Sequence, residues 1–256
     1  RAIAGLGLDK PFHMQYLLFL RGALRGDLGE SFIFEEPALL LIVERMPATM
    51  ELALFALLIA VVIGIPLGML AGFRPESITA KTIMSGSILG FSLPSFWVGI
   101  MMMVLFAVHL GWLPSTGRGP TSEWFGIEVS FTSWKGISYL LMPAINLSLF
   151  KLALVIRLAR AGTREVVHQD YIKFARAKGL SGRRIVLVHV LKNILIPVVT
   201  VLGLEFGGLV AFSIVTETVF AWPGMGKLLI DSIGMLDRPV IVAYLMIIVF
   251  LFVIIN

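Results

Sequence analysis

Five long apolar runs, at 52–73, 83–109, 137–158, 194–216 and 239–255, constrain this chain more than any other feature. A helix rises about 1.5 Å per residue, so about 20 apolar residues cross the roughly 30 Å hydrocarbon core of a bilayer. The first run carries no charged residue and the second ends on His109, while the third holds Lys151 and the fourth Glu205. Period-two alternation is missing, which argues against a membrane β-barrel. The expected fold is an all-α, polytopic membrane bundle. Composition agrees: 58% of residues are hydrophobic and 14% charged, against about 25% charged in soluble domains. The absence of cysteine excludes disulfides, thiolate metal sites and cysteine nucleophiles. The four histidines show no HExxH or other ligand spacing, so no metal site is expected.

The formal charge of +5 could suggest nucleic acid, but the cations gather beside the apolar runs. Arg157, Arg160, Arg164, Lys173, Arg176, Lys178, Arg183, Arg184 and Lys192 fall between the third and fourth runs, opposed only by Glu165 and Asp170. The positive-inside rule places this segment in the cytoplasm. The short loop with Arg74 and Lys81 then also lies inside, and 1–48, 111–136 and 217–238 lie outside. With 1–48 outside, a further N-terminal span ahead of Arg1 is expected if the intact protein starts in the cytoplasm. The expected division is an outer segment at 1–48 and a transmembrane domain at 49–256, with a cytoplasmic loop at about 159–193.

Within the spans, Gly64, Gly68 and Gly72 form one small-residue stripe and Gly203 and Gly207 another, the pattern that lets membrane helices approach closely. Pro66, Pro94, Pro143 and Pro197 lie in or at the runs. At Ser92-Leu93-Pro94-Ser95 the hydroxyls could line a wet path, or the proline could simply kink the helix. Charges at the bilayer centre are costly and usually face protein or water. Glu205 is therefore either a polar point on a substrate path or an interhelical hydrogen-bond partner. Lys151 reads as structural, its chain snorkelling toward the inner surface, and His109 as interfacial.

The basic segment is the most informative. Read as a helix, Val167, Tyr171, Phe174 and Ala175 share one face. Gly179 suits a left-handed helix cap and Ser181 an N-cap. So short a helix is marginal alone in water. Pattern alone leaves two readings open: the face docks into a partner, or the helix rests on the lipid surface.

The run from Arg157 to Val198 resembles the EAA loop of inner-membrane subunits of binding-protein-dependent ABC importers, more narrowly the first permease subunit type of the dipeptide/oligopeptide permease family. Ala175-Arg176-Ala177-Lys178-Gly179-Leu180 and Leu191-Lys192-Asn193-Ile194-Leu195-Ile196-Pro197 carry the match. So do Glu44 to Leu52, Gly111-Trp112-Leu113-Pro114, Glu217 to Gly226 and Gly26-Asp27-Leu28-Gly29. Lys173 and Phe174 stand where the generic loop has glutamate and alanine, and the gap from Gly179 to Pro197 is longer, both as in the peptide-permease subgroup. No glutamate role can therefore be transferred.

The resemblance implies the type I ABC importer permease fold, with five spans in this chain, in the bacterial inner (plasma) membrane. It implies half of a translocation pathway for di-/oligopeptides, with no catalytic residues here. Glutathione, nickel chelates or sugars are alternative cargoes, and a stand-alone secondary carrier is a weaker alternative. The implied partners are a second homologous permease subunit, two ATP-binding subunits that bind ATP and Mg, and a periplasmic or lipid-anchored substrate-binding protein; nucleic acid is not among them. Consistent with that division, the chain has no G-x-x-x-x-G-K-[ST] phosphate loop. Gly224-Met225-Gly226-Lys227 lacks the following Ser/Thr. The implied ATPase-coupling residues are Asp170, Tyr171, Phe174, Ala175, Arg176, Ala177, Gly179 and Leu180. Glu205, Ser92 and Ser95 are candidates for the path. Trp222, Pro223 and Gly224 are candidates for binding-protein contact, alongside an amphipathic run at 12–24.

Overall fold

The structure, a computed structural model, describes residues 11–255. It runs α1 (Phe12–Ala23), α2 (Ala38–Phe73), α3 (Ile78–Ser92) and α4 (Ser95–His109), then a hairpin of β1 (Ser122–Trp124) and β2 (Ile127–Val129). There follow α5 (Trp134–Val167), α6 (Asp170–Ala177), α7 (Gly182–Val219), α8 (Met225–Gly234) and α9 (Arg238–Ile255). By length and composition, α2, α5, α7 and α9 can each cross a membrane, and α3 with α4 passes the same test as a broken pair. The antiparallel hairpin is the one extended element among the described residues.

One sequence expectation is corrected. The run at 83–109 is not one helix: α3 and α4 meet at a bend of 102°. The cause is local. The ring of a proline disfavours the helical region for the residue before it, and Leu93 is extended, at φ −79° and ψ 138°. Pro94 then opens α4 with φ −60°. Pro66, Pro143 and Pro197 sit inside continuous helices. Residue 48, where the outer segment is expected to end, lies within α2. That helix has 36 residues, about 54 Å at 1.5 Å per residue, so it projects well past the hydrocarbon.

The first glycine stripe is the seam between α2 and α5, the most extensive helix contact in the chain. A Cβ on Gly64 would lie 2.8 Å from Val155 Cγ1, and one on Gly68 2.6 Å from both Ala159 Cβ and the Ile156 carbonyl oxygen. On Gly72 it would lie 2.6 Å from Thr163 Cβ. Only hydrogen fits there. Gly203 differs, since a Cβ would meet open space, so the second stripe forms no seam at that residue.

The buried apolar residues form two clusters, one toward each end of the bundle. One unites Ile42, Leu52, Leu140, Leu209, Met225 and Tyr244, from α2, α5, α7, α8 and α9, with Trp222 from the connection between α7 and α8. The other unites Met69, Val155, Ile172, Ile185, Ile194 and Val198, from α2, α5, α6 and α7. The 111–136 and 217–224 connections reach the first cluster: Gly117 N–H donates to the Phe220 carbonyl at 2.9 Å. The basic segment belongs to the second. The two-sided arrangement matches the sidedness that the lysines and arginines indicate.

Candidate functional site

The inner end is built around α6. Ile172 and Ala175 are buried against the inner cluster, while Tyr171 is 44% and Phe174 61% exposed. The sequence grouped Val167, Tyr171, Phe174 and Ala175 on one face. The structure instead turns Ile172 inward and the two aromatics outward. Burial of Ile172 and Ala175, three residues apart, sets that rotation and leaves the rings free. Lys178 Nζ lies 4.7 Å from the Phe174 ring centroid.

The exit from α6 is a Schellman turn. Leu180 N–H donates to the Ala175 carbonyl at 3.2 Å and Gly179 N–H to the Arg176 carbonyl at 2.9 Å. Gly179 takes φ +78°, the left-handed region where an L side chain is strained. Ser181 Oγ then accepts from Arg184 N–H and opens α7. At the start of α6, Lys173 Nζ donates to Asp170 Oδ1 at 2.9 Å. That hydrogen bond and the ammonium charge hold the Asp170 carboxyl below its usual range. The pair's contribution is thus present above the free carboxyl's range and is lost as pH falls through the lowered value. Arg176 and Ala177 are exposed and Leu180 is half-buried.

The outer end is held by carboxylates whose partners come from distant segments. Glu51 Oε2 accepts from Arg118 Nη2 at 2.7 Å and Nε at 3.1 Å. Its Oε1 accepts from Ser130 N, Ser130 Oγ and Phe131 N. The Arg118 guanidinium also lies 5.7 Å from the centroid of the Trp222 ring. Glu217, buried in the last turn of α7, accepts on Oε1 from Thr49 Oγ1 and Ser213 Oγ, both at 2.8 Å. Its Oε2 accepts from Lys227 N–H at 3.0 Å, while Thr49 Oγ1 accepts from Met225 N–H at 2.8 Å. Residues of two other helices therefore cap the free N–H groups that open α8. Gly224 is required here, since a Cβ would lie 2.4 Å from Glu217 Cδ. Asp237 accepts from Ser31 Oγ and, at 3.2 Å, from Phe32 N–H, tying the outer N-terminal segment to the start of α9.

Trp222 and Gly224 belong to this knot. Both are buried, and Trp222 Nε1–H donates to the Ala48 carbonyl at 2.9 Å. Of that trio, only Pro223 is partly exposed. The amphipathic run is helix α1, with no residue buried.

Between the two ends, α4, α5 and α7 flank an open, mainly apolar pocket of about 410 Å³ whose lining includes Ser95, Asn146, Lys151 and Thr216. Lys151 Nζ donates to Glu205 Oε2 at 2.5 Å, which gives Glu205 an interhelical partner. Ser92 is not on the cavity, and its hydroxyl donates to the Ile88 carbonyl at 2.8 Å.

Sequence reasoning did not single out Glu51, Arg118, Thr49, Asn146 or Asp237. For Glu51 and Glu217 a signal existed: each carboxylate stands at the edge of an apolar run.

Residues 64–256 match the family described as binding-protein-dependent transport system inner membrane component. The chain belongs to this family. It is 39% identical over 267 residues to the Di/tripeptide transport system permease protein DppB of Pseudomonas aeruginosa (strain UCBPP-PA14), covering 100% of this chain and 80% of that protein. To the Dipeptide transport system permease protein DppB of Escherichia coli (strain K12) it is 37% identical over 269 residues, covering 99% and 79%. Among solved structures it resembles a chain of the MetNI methionine ABC transporter in inward-facing conformations, with TM-score 0.63 over 84% of this chain and 91% of that one. At 20% identity that likeness speaks for the fold alone, which is that of a type I importer permease. As a member of this family the chain is a multi-pass inner-membrane transport subunit rather than an enzyme, and ATP hydrolysis resides in separate subunits. The family works with ATPase, substrate-binding and second-permease partners.

Proposed function

We propose that this chain forms half of the translocation pathway of an importer for di- and oligopeptides, paired with one homologous permease subunit. Two ATP-binding subunits, which hold ATP and Mg, drive it, and a periplasmic or lipid-anchored binding protein delivers the peptide at the outer end. The peptide assignment rests on similarity to proteins named as dipeptide permeases, over 99–100% of this chain and 79–80% of theirs. The coupling assignment rests chiefly on one observation: α6 is anchored by Ile172 and Ala175 and offers Tyr171 and Phe174 to a neighbour. Aromatic side chains presented on a rigid element are the usual anchors of a protein interface. Nucleotide-driven movement of an ATPase groove would then pass through the Schellman turn into α7.

Gly179→Val tests this coupling. A Cβ at this residue meets no atom within 4 Å, so the substitution acts through the backbone alone, at about 1–2 kcal/mol for a left-handed L residue. In proteoliposomes holding the complete transporter, dipeptide uptake is expected to fall about tenfold per ATP hydrolysed. Unchanged uptake per ATP would remove this turn from the coupling route.

A further inference from the structure

The hairpin of β1 and β2 has two unlike faces, and only one of them suits water. Successive strand residues point to opposite sides. The register pairs Trp124 with Ile127 and Ser122 with Val129 on one side, and Glu123 with Glu128 on the other. Carboxylates directly opposite each other repel, and both are exposed, so their face belongs in water. On the opposite face Trp124 and Ile127 are exposed too. The strands are joined by Phe125-Gly126, at φ +52° and +78°, the geometry that Asn-Gly or Gly-Gly ordinarily supplies. A bulky residue is strained there. Phe125 is nevertheless 90% exposed, and its ring lies against Trp124 with 5.3 Å between centroids. A strained aromatic that its own chain leaves uncovered points to a contact outside the chain.

The packing beneath the hairpin gives its depth. The Trp124 ring meets Phe131 edge-on at 5.6 Å, and Phe131 lies 5.7 Å from Phe55 on α2. At about 1.5 Å per residue, the stretch of α2 from Phe55 to its last residue, Phe73, is about 27 Å long. That is close to the roughly 30 Å of hydrocarbon, and Arg74 follows at the inner side. Phe55 therefore stands at the outer edge of the hydrocarbon, and the apolar face of the hairpin descends onto it while Glu123 and Glu128 point away. Trp112, just after α4, and Trp134, at the start of α5, are both exposed, which continues an aromatic belt on either side of the hairpin in the chain. The hairpin's base is fixed. Glu51, one turn above Phe55, accepts from Ser130 and Phe131 N–H, and Arg118 Nη2 donates to the Glu128 carbonyl at 2.6 Å.

We propose that this hairpin is a membrane anchor: Trp124, Phe125 and Ile127 enter the boundary between headgroups and acyl chains of the outer leaflet, and Glu123 and Glu128 stay in water. Aromatic rings with a polar edge favour that boundary. Tied to lipid at its tip and to Glu51 at its base, the hairpin holds the 111–136 connection at a constant depth beside α2.

Nitroxide accessibility tests the anchor in the complete transporter, reconstituted in phospholipid vesicles with the partner subunits' cysteines removed. This chain has no cysteine, so Phe125→Cys, Ile127→Cys and Glu123→Cys each give it one labelling position. At Phe125→Cys and Ile127→Cys, membrane-soluble oxygen is expected to relax the nitroxide severalfold more than a water-soluble nickel chelate does. At Glu123→Cys the order is expected to reverse, and adding the substrate-binding protein is expected to leave the first two unchanged. Equal nickel contact at all three positions would overturn the anchor, showing a hairpin that stands in water. Shielding of Phe125→Cys from both reagents would overturn it in favour of a contact with the second permease. Loss of oxygen contact on adding the binding protein would overturn it in favour of that partner. If Phe125→Cys does not assemble, Ile127→Cys, which keeps both aromatic rings, decides.

Discussion

Truncating Phe174 to alanine is expected to weaken binding of the ATP-binding subunits about 30-fold or more, while this chain alone keeps its stability. At 61% exposed, the ring contributes little to the chain's own packing. Its main contact is the Lys178 ammonium, 4.7 Å from the ring centroid, and an exposed cation–π contact is worth only about 0.5–1 kcal/mol. An aromatic anchor at the centre of an interface costs about 2 kcal/mol or more when truncated, which sets the factor of about 30. Ile172→Ala is the contrasting control. Ile172 is fully buried in the inner cluster, so its truncation removes about 2–5 kcal/mol of stability and acts on α6 itself. Thermal melts of the solubilised chain, read beside its affinity for the ATPase subunits, separate the two effects. Equal binding by Phe174→Ala and the unsubstituted chain would mean that α6 does not dock through this ring.

Arg118→Met is expected to be the most damaging single change at the outer end. Glu51 and Arg118 have side chains only 3% and 10% exposed, and removing one partner strands the other's charge in a dry site, at about 3–5 kcal/mol. Glu51→Gln in the Arg118→Met background removes the stranded charge and keeps an oxygen to accept from Ser130 and Phe131, so it is expected to recover a large part of the loss. Melting of the four variants in detergent measures the coupling. Simple addition of the two single effects would show that the ion pair does not hold the 111–136 connection to α2.

The spans were legible because membrane helices write their length in uninterrupted apolar residues. Their ends were not. α2 begins at Ala38, well before the apolar run at 52, because a helix continues through Glu44, Arg45 and Glu51 as readily as through leucine once neighbours support it. The break at Leu93-Pro94 was visible as a proline, yet Pro66, Pro143 and Pro197 sit inside continuous helices, so a proline by itself did not mark which run would bend by 102°. On the basic segment, Gly179 and Ser181 take the capping roles their types suggest, since capping chemistry is local. The rotation of α6 was not legible: a helix with Ile172, Phe174, Tyr171 and Ala175 carries apolar residues most of the way round, and the inner cluster chose which would be buried. Least legible were the pairings Glu51–Arg118, Glu217–Thr49 and Asn146–Thr216, because contacts 67 to 168 residues apart leave no spacing pattern to read.

The side of the membrane on which α6 lies decides between ATP-driven coupling and every other reading. Ala177 is exposed on this helix, and with no native cysteine Ala177→Cys supplies a single thiol there. A membrane-impermeant maleimide is expected to label it in inside-out vesicles, to leave it unlabelled in right-side-out vesicles, and to react more slowly once the ATP-binding subunits are added. Labelling from the outer side alone would contradict the assignment of α6 as the ATPase-coupling helix.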